Sequence, residues 1–528
     1  MITTFPNYSR KLREYLSFLR LIGFSRLKYF TKLKQSLLSL ILLLPFSLQA
    51  EPWIGTENLS LRADIQLLAD FQLLSTPTTT FPLMWRSVVT DLDGIEEANL
   101  PERVVSAYIN VKMHAKTALM QHSRLKINAA NNTNRFTSFG DTLRDKNHLE
   151  LNSNWVGKHW AGKLSVSSAN NPIDGEEVRF DGSYLAINWG NWVITAGLQN
   201  RWWGPGWDTN MALTNNARPI PAISLGRNSS EAFELPFFND IKIPWTLTTF
   251  MGRMEKERTI PNTLLWGFRM TARPVPQLEI GITRLAQWDG EGRPGDLSTF
   301  GDLFTGADNC GFDLDCSNNN EPGNQMAGYD ARWSSIIGQN PYSAYMQAMA
   351  EDGSGSSGKF LTEIRYMVGF DTHLQIFDQN MRVFLEASDT FADCTGVNND
   401  GTGNCFYEHH IYRTGMRFNQ RVIANIYDND ARTYVLGFIS QINKTSNWQA
   451  KLRYLKLNQD NSDKGLGNPL IGNTLTEIAE DMMMLSGKYE WQTDQWFYSV
   501  GSQLSRSTFE TADESTDFSL FLSAAYSF

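Results

Sequence analysis

From about residue 120 to the C terminus, apolar and polar positions alternate with a period of two. Turn sequences interrupt the alternation, which predicts antiparallel strands. In YLAINWGNWVITAGLQ, Leu185, Ile187 and Trp189 share one face, Gly190-Asn191 reverses the chain, and Trp192, Ile194, Ala196 and Leu198 continue an apolar face. In LLWGFRMTARPVPQLEIGITR, Leu264, Trp266, Phe268 and Met270 alternate with Arg269 and Thr271. After the turn at 274–277, Leu278, Ile280 and Ile282 alternate with Glu279 and Thr283. In TYVLGFISQINKTSNWQAKLRYLKL, Tyr434, Leu436 and Phe438 lead through a polar turn to Trp448, Ala450, Leu452 and Tyr454, which alternate with Lys451 and Arg453. Strands with one apolar and one charged face suit a barrel with lipid outside and water inside.

A water-soluble antiparallel barrel shows the same alternation, and the C terminus separates the two. The segment FSLFLSAAYSF places Phe518, Leu520, Leu522, Ala524, Tyr526 and Phe528 on one face. A last strand closed by Phe looks like the insertion signal of bacterial outer-membrane barrels. Roughly 410 residues at about 22–24 per strand and connection give 16 to 18 strands, enough for an aqueous lumen.

Ahead of the strands the period is 3.6. Leu61, Ile65, Leu68 and Phe71 fit one helix; Val104, Val105, Tyr108 and Lys112 fit another that follows Pro101. The turn STPTTTFPLMW lies between them. Residues 51–117 are expected to form a small helical domain that packs on the barrel at residues 118–528 and fills its lumen, because about 65 residues bury too little to stand alone. Residues 1–50 read as an export signal: Lys28, Lys32 and Lys34 precede the apolar run Leu37–Leu48, with cleavage expected after Ala50. Residue 51 is Glu, not Cys, so no lipid attachment is expected there.

Composition narrows the partners. Beyond residue 50 no stretch approaches the roughly 18 apolar residues of a membrane helix, and mean hydropathy is −0.34. Residues 1–50 hold eight Lys/Arg and one Glu, leaving 39 basic and 55 acidic residues, a net −16, in the remainder. Nucleic acid is therefore not an expected partner. The four cysteines form two local pairs, Cys310 with Cys316 in CGFDLDC and Cys394 with Cys405 in CTGVNNDGTGNC, each expected to close its own loop by a disulfide in an oxidising compartment. Neither pair has zinc-site spacing. Calcium at Asp308, Asp313, Asp315 and Asp400 stays open beside the plainer reading of solvated carboxylates, and no metal or cofactor is assigned.

Candidate chemistry concentrates in RWWGPGWDTNMALTNNARPIPAISLGRNSS, residues 201–230, read as a long connection. Arg201, Arg218 and Arg227 offer forked donors, Trp202, Trp203 and Trp207 offer flat apolar faces, and Asn215, Asn216 and Asn228 add amides. That set suits an acidic sugar polymer. It equally suits a packed loop whose indoles fill space, and both readings stand at this stage. Catalytic motifs are missing: the seven histidines (114, 122, 148, 159, 373, 409 and 410) form no H-E-x-x-H, GSGSSG at 353–358 lacks nucleophile-elbow spacing, and no Walker-type loop is present.

The alternating barrel ending in Phe, the segments LRADIQLLAD and FPLMW, RWWGPGW followed by NNARPIPAISLGRNSS, and AQWDGEGRPGD at 286–296 together resemble the Wzi family of outer-membrane capsule assembly proteins. The resemblance implies an 18-stranded barrel with a helical bundle on its periplasmic side, located in the outer membrane. It also implies a non-catalytic, lectin-like role in retaining capsular or exopolysaccharide. The expected partners are that polysaccharide and outer-membrane lipids, with the chain acting as a monomer. A porin-type diffusion channel is the alternative, and an outer-membrane hydrolase a weaker one.

Overall fold

The computed structural model describes residues 51–528 apart from 142, 236–237, 306–322, 352, 355–359, 362–363, 377–378, 393–405, 410, 462–474 and 512. The export signal lies outside the described residues. So do Cys310, Cys316, Cys394 and Cys405, and with them both expected disulfides, Cys310 to Cys316 and Cys394 to Cys405.

Eighteen antiparallel strands close a barrel. They are β1 (Ser123–Ala130), β2 (Asn147–Val156), β3 (Trp160–Ala169), β4 (Tyr184–Trp189, extended by the short pairing Val178–Arg179), β5 (Trp192–Leu198) and β6 (Pro221–Arg227). Next come β7 (Trp245–Arg253), β8 (Leu264–Val275), β9 (Leu278–Trp288), β10 (Gly323–Ile337), β11 (Asn340–Glu351) and β12 (Arg365–Ile376). The last six are β13 (Gln379–Asp389), β14 (Ala431–Asn443), β15 (Ser446–Leu457), β16 (Glu480–Gln492), β17 (Trp496–Phe509) and β18 (Glu514–Ser527). The β18–β1 pairing, from Phe521↔Ala130 to Ser527↔Arg124, closes the ring and leaves no open edge.

The strand count falls within the expected range, and the alternation assigns the faces correctly. On β12, Tyr366, Val368 and Phe370 point outward, 43–47% exposed, while Met367, Asp371 and His373 are buried inward. The C-terminal set obeys the same parity: Phe518, Leu520 and Leu522 are exposed. One part of the sequence reading changes. Pro221–Arg227, taken as connection, is β6, paired with β5 on one side and β7 on the other. Its inward residues Ala222, Ser224 and Gly226 are small, which weakened the period-two signal.

Connections alternate short and long around most of the ring, the exceptions being 228–244, long at the short-turn end, and 510–513, short at the other. Short turns such as 190–191, 338–339 and 444–445 share one end with Phe528 and the start of β1. The long connections, including 199–220 and 390–430, share the other. In outer-membrane barrels short turns face the periplasm and long loops the exterior.

Among the described residues three α-helices precede β1: α1 (Leu59–Asp70), α2 (Trp85–Asp93) and α3 (Glu102–Ala118). The Asn58 side chain accepts from the Leu61 N–H at 2.9 Å and starts α1. The sequence predicted one apolar stripe on α1, yet its polar side chains Arg62, Asp64, Gln66 and Asp70 are buried as well. Arg62 bonds to the Gly206 carbonyl, Asp64 to Asn110, Gln66 to Asp70 and Thr78, and Asp70 to inward-facing barrel residues, none of which periodicity along one segment reveals. Asp70 accepts from Arg332 on β10 and Arg382 on β13, both at 3.2 Å. In the following turn, the Thr78 and Thr79 N–H groups donate to Glu279 on β9 at 2.9 Å. The inward charges of the strands therefore meet protein, not bulk water, over much of the circumference.

Candidate functional site

The nine residues singled out in the 201–228 segment do not converge on one surface; they divide among three places. Trp202, Trp203, Trp207, Asn215 and Asn216 lie in the interior, with the indoles at most 1% exposed. Trp202 donates through Nε1 to the Gly206 carbonyl at 3.0 Å, and Trp207 through Nε1 to Asp371 at 3.0 Å. Trp203 packs edge-on against Phe250 at 5.5 Å. Asn215 donates to the Thr56 carbonyl, and Asn216 accepts from the Thr137 N–H. None of the three indoles has an open face for a sugar ring. Helix α1 supplies part of the reason: the Arg62 guanidinium lies 4.3 Å from the Trp207 ring centre and 4.6 Å from that of Phe139, and it donates to the Gly206 carbonyl at 2.7 Å. Gly204 belongs to the same crowding. Its φ of +142° and a would-be Cβ 2.7 Å from Gln347 Oε1 admit no side chain.

Arg201 is buried against Phe250 and donates to Ser224 Oγ at 2.7 Å. Arg218 stands at the long-loop end, where it donates to both Asp181 oxygens at 2.9 Å, to Asp174 at 2.9 Å and to the exposed Glu176 at 2.6 Å. Burial alone would lower the Arg218 pKa, but these three carboxylates outweigh it and raise it. Arg227 and Asn228 sit at the opposite, short-turn end. There Arg227 lies outward on the Trp245 ring at 3.9 Å, and the Asn228 N–H donates to the Asn191 carbonyl.

The interior part of the segment is a seal, and its centre is Asp208, which the sequence did not mark. Asp208 is fully buried and accepts from Lys451 Nζ at 2.8 Å and Arg453 Nη2 at 2.7 Å, both on β15, and from the Tyr427 hydroxyl. Burial alone would raise its carboxyl, but Arg453 and Lys451 outweigh that and hold it well below the usual carboxylate range. Glu386 on β13 accepts from the Trp207 and Asp208 N–H groups, and Gln347 on β11 from the Met211 N–H at 2.7 Å. The segment, which leaves β5 and returns at β6, is thus tied to β11, β13 and β15 across the ring. Residues 406–430 lie against it: the Tyr407 hydroxyl donates to the Met211 carbonyl at 2.8 Å, and the Thr214 hydroxyl donates to the Ala424 carbonyl. A sequence signal existed for Lys451 and Arg453, which alternate with outward aromatics. None existed for their pairing with Asp208, 243 and 245 residues away.

Beside the seal, along the inner faces of β1–β3 and β16–β18, runs a cavity of about 830 Å³. Thr445, Gln495 and Phe528 mark its short-turn end, and Lys126, Glu150, Lys163 and Lys488 line its wall. Toward the long-loop end, Arg144 donates to the carbonyls of Asn215 at 2.6 Å and Ala217 at 2.9 Å, and Arg179 pairs with Asp145 at 2.5 Å. The candidate segment thus holds Arg144, one of the residues lining the cavity. Among the described residues, no group of three or more His, Cys, Asp or Glu side chains is placed to hold a metal ion.

Residues 118–519 match the family model for the capsule assembly protein Wzi. The chain belongs to that family. It is an outer-membrane β-barrel, and the family is one of capsule assembly rather than of enzymes. A Klebsiella pneumoniae protein described as an uncharacterized 55.8 kDa protein in the cps region is 30% identical over 340 residues, or 62% of this chain. The match spans 64% of that relative's length. The fold matches that of Wzi from Escherichia coli, described as an outer-membrane protein involved in group 1 capsule assembly and a carbohydrate-binding β-barrel. The TM-score is 0.74 at 21% identity, over 90% of this chain and 98% of the other. A looser likeness, with a TM-score of 0.41 at 10% identity, is to OccD3 of Pseudomonas aeruginosa, over 77% of this chain and 90% of that one.

Proposed function

We propose that this protein is a lectin-like member of the family that binds capsular or extracellular polysaccharide and retains it at the cell surface. The observation that carries this reading is the seal. Residues 201–216, which leave β5 and are held across the ring to β15, β12 and β11 through Asp208, Trp207 and Met211, turn the long-loop end into a surface, where a diffusion channel needs an open path. In this reading residues 51–117 are the plug on the periplasmic side, residues 118–528 the barrel, and the chain works as a monomer among outer-membrane lipids. Residues 1–50 direct export, and two disulfides, Cys310 to Cys316 and Cys394 to Cys405, close two exterior loops.

Of the nine residues in the 201–228 segment, Arg218 with Glu176 is proposed to face the glycan. Trp202, Trp203, Trp207, Asn215, Asn216 and Arg201 hold the shape beneath it, and Arg227 and Asn228 anchor the far end. Mixed guanidinium and carboxylate groups suit hydroxyl-rich and uronate-bearing chains.

The test compares surface polysaccharide in cells and in medium for the native strain, a deletion of the gene, and the deletion complemented with Arg218→Ala. Normal synthesis with shedding to the medium in the deletion supports retention, and partial shedding with Arg218→Ala supports the contact. An unchanged partition in the deletion refutes the lectin reading, and conductance of the purified barrel in a planar bilayer then tests the channel.

A further inference from the structure

A nine-residue helix, α4 (Leu297–Thr305), lies in the connection after β9. Asp296 starts it, accepting from the Thr299 N–H at 2.8 Å and the Ser298 hydroxyl at 2.7 Å. It does not fold over the barrel mouth as residues 201–216 do. It packs on the outside of the wall. Trp266 and Ala286 are directly paired across β8 and β9, as are Phe268 and Arg284, and these four share the outward face with the exposed Ile280 and Ile282. Phe300 of α4 meets Trp266 at 5.5 Å and Trp288 at 5.1 Å, Phe304 meets Trp266 at 5.6 Å, and Leu303 is fully buried in this cluster.

Arg284 explains why the helix sits there. A guanidinium on the lipid-facing side of a strand is unfavourable unless its donors are satisfied. Here Arg284 donates to the Leu303 carbonyl at 2.5 Å and the Phe304 carbonyl at 2.7 Å, with Nε on Gln325 Oε1 at 3.1 Å. The same bonds satisfy two carbonyls at the end of α4, where a cation is also favoured by the helix dipole. Helix and wall thus complete each other's polar groups, and the exposed side of α4 is mixed, with Ser298, Gly301 and Asp302 beside Leu297 and Phe304. Leu297 is 86% and Phe304 56% exposed. They are the apolar members of that side, and the Phe304 ring adjoins the outward Trp266.

We infer that α4 is an interfacial anchor: it lies in the outer leaflet against the wall of β8 and β9, with Leu297 and Phe304 in contact with acyl chains. The inference uses the barrel's place in the outer membrane and is independent of glycan binding. At 1.5 Å per residue the helix covers roughly 14 Å of the interface.

The test places a photoreactive p-benzoylphenylalanine at position 297 of the full chain, reconstituted in dimyristoylphosphatidylcholine vesicles. Parallel labels at Ile282 on the lipid-facing wall and at Glu291 in the connection serve as references. Heat-modifiability confirms insertion, and the label moves to position 304 if the first variant does not insert. After illumination, a lipid adduct at 297 about as abundant as at 282, and roughly tenfold above that at 291, is expected of an apolar helix edge in the interface. A yield equal to that at 291 overturns the inference. A cross-link between two copies of the chain also overturns it, by assigning the face to an oligomer contact.

Discussion

Replacing Asp208 by Asn keeps the shape of the side chain and removes the charge that two buried cations share. Breaking a buried pair by removing one partner is destabilising by about 3–5 kcal/mol, because the remaining charge is stranded in a poorly solvating interior. Two hydroxyls soften the loss here. Lys451 also donates to Ser138 Oγ at 2.9 Å and Arg453 to Ser486 Oγ at 3.0 Å, so the lower end, about 3 kcal/mol, applies. At about 1.4 kcal/mol per tenfold, local opening of the seal becomes roughly a hundredfold more frequent. The strand ladder is untouched, so Asp208→Asn should remain heat-modifiable. Hydrogen exchange reads the opening directly through the amides of Trp203, Gly204 and Met211, whose N–H groups donate to the Leu213 carbonyl, the Thr79 carbonyl and Gln347 Oε1. Protection at these amides should fall by about that factor and recover in part when Lys451→Met removes one stranded cation. Protection that is unchanged, or that rises, would refute the reasoning, since it would mean that burial of the three charges outweighs their mutual attraction. The pH dependence follows from the same site. A carboxyl depressed on folding stabilises above its ordinary value of about 4, and that stabilisation is lost as pH falls through the depressed value. The part of the protection that Asp208 supplies, read as the difference from Asp208→Asn, should therefore stay level from pH 8 to about 4 and drop only in stronger acid.

Asp64 on α1 predicts the opposite trend. Burial pushes its carboxyl up to about 7, against a hydrogen bond from Asn110 Nδ2 on α3 at 2.5 Å that favours the charged form. A raised value gives stability that is complete below the ordinary carboxylate range and lost as pH rises through about 7. Amide protection in α1 and α3 should accordingly weaken between pH 5 and 8, and Asp64→Asn should flatten the profile. For export and oxidation, intact-mass analysis of protein from outer membranes should show a chain starting at Glu51. Alkylation under denaturing conditions should leave Cys310, Cys316, Cys394 and Cys405 unlabelled until a reductant is added.

Much of the barrel was legible because side-chain direction in a strand is a local property: neighbours at i and i+2 share a face whatever the rest of the chain does. That parity correctly placed Tyr434 and Leu452 outward and Lys451 and Arg453 inward, and the length of the alternating region bounded the number of strands. The two outer helices before β1 were legible for the same reason, through a period of 3.6. Family resemblance was also readable in RWWGPGW and the segments around it.

What the inward groups meet is not local. Three indoles in seven residues look like a platform for sugar until α1 and residues 406–430 cover them. Arg218 and Arg227, nine positions apart, stand at opposite ends of the barrel because β6 runs between them. Asp208 found its cations, Asp70 its arginines and Arg284 the end of α4 through closure of the ring. Local periodicity determined which way each side chain points, and only the closed tertiary structure decided what it points at, because contact depends on distances that chain separation does not encode.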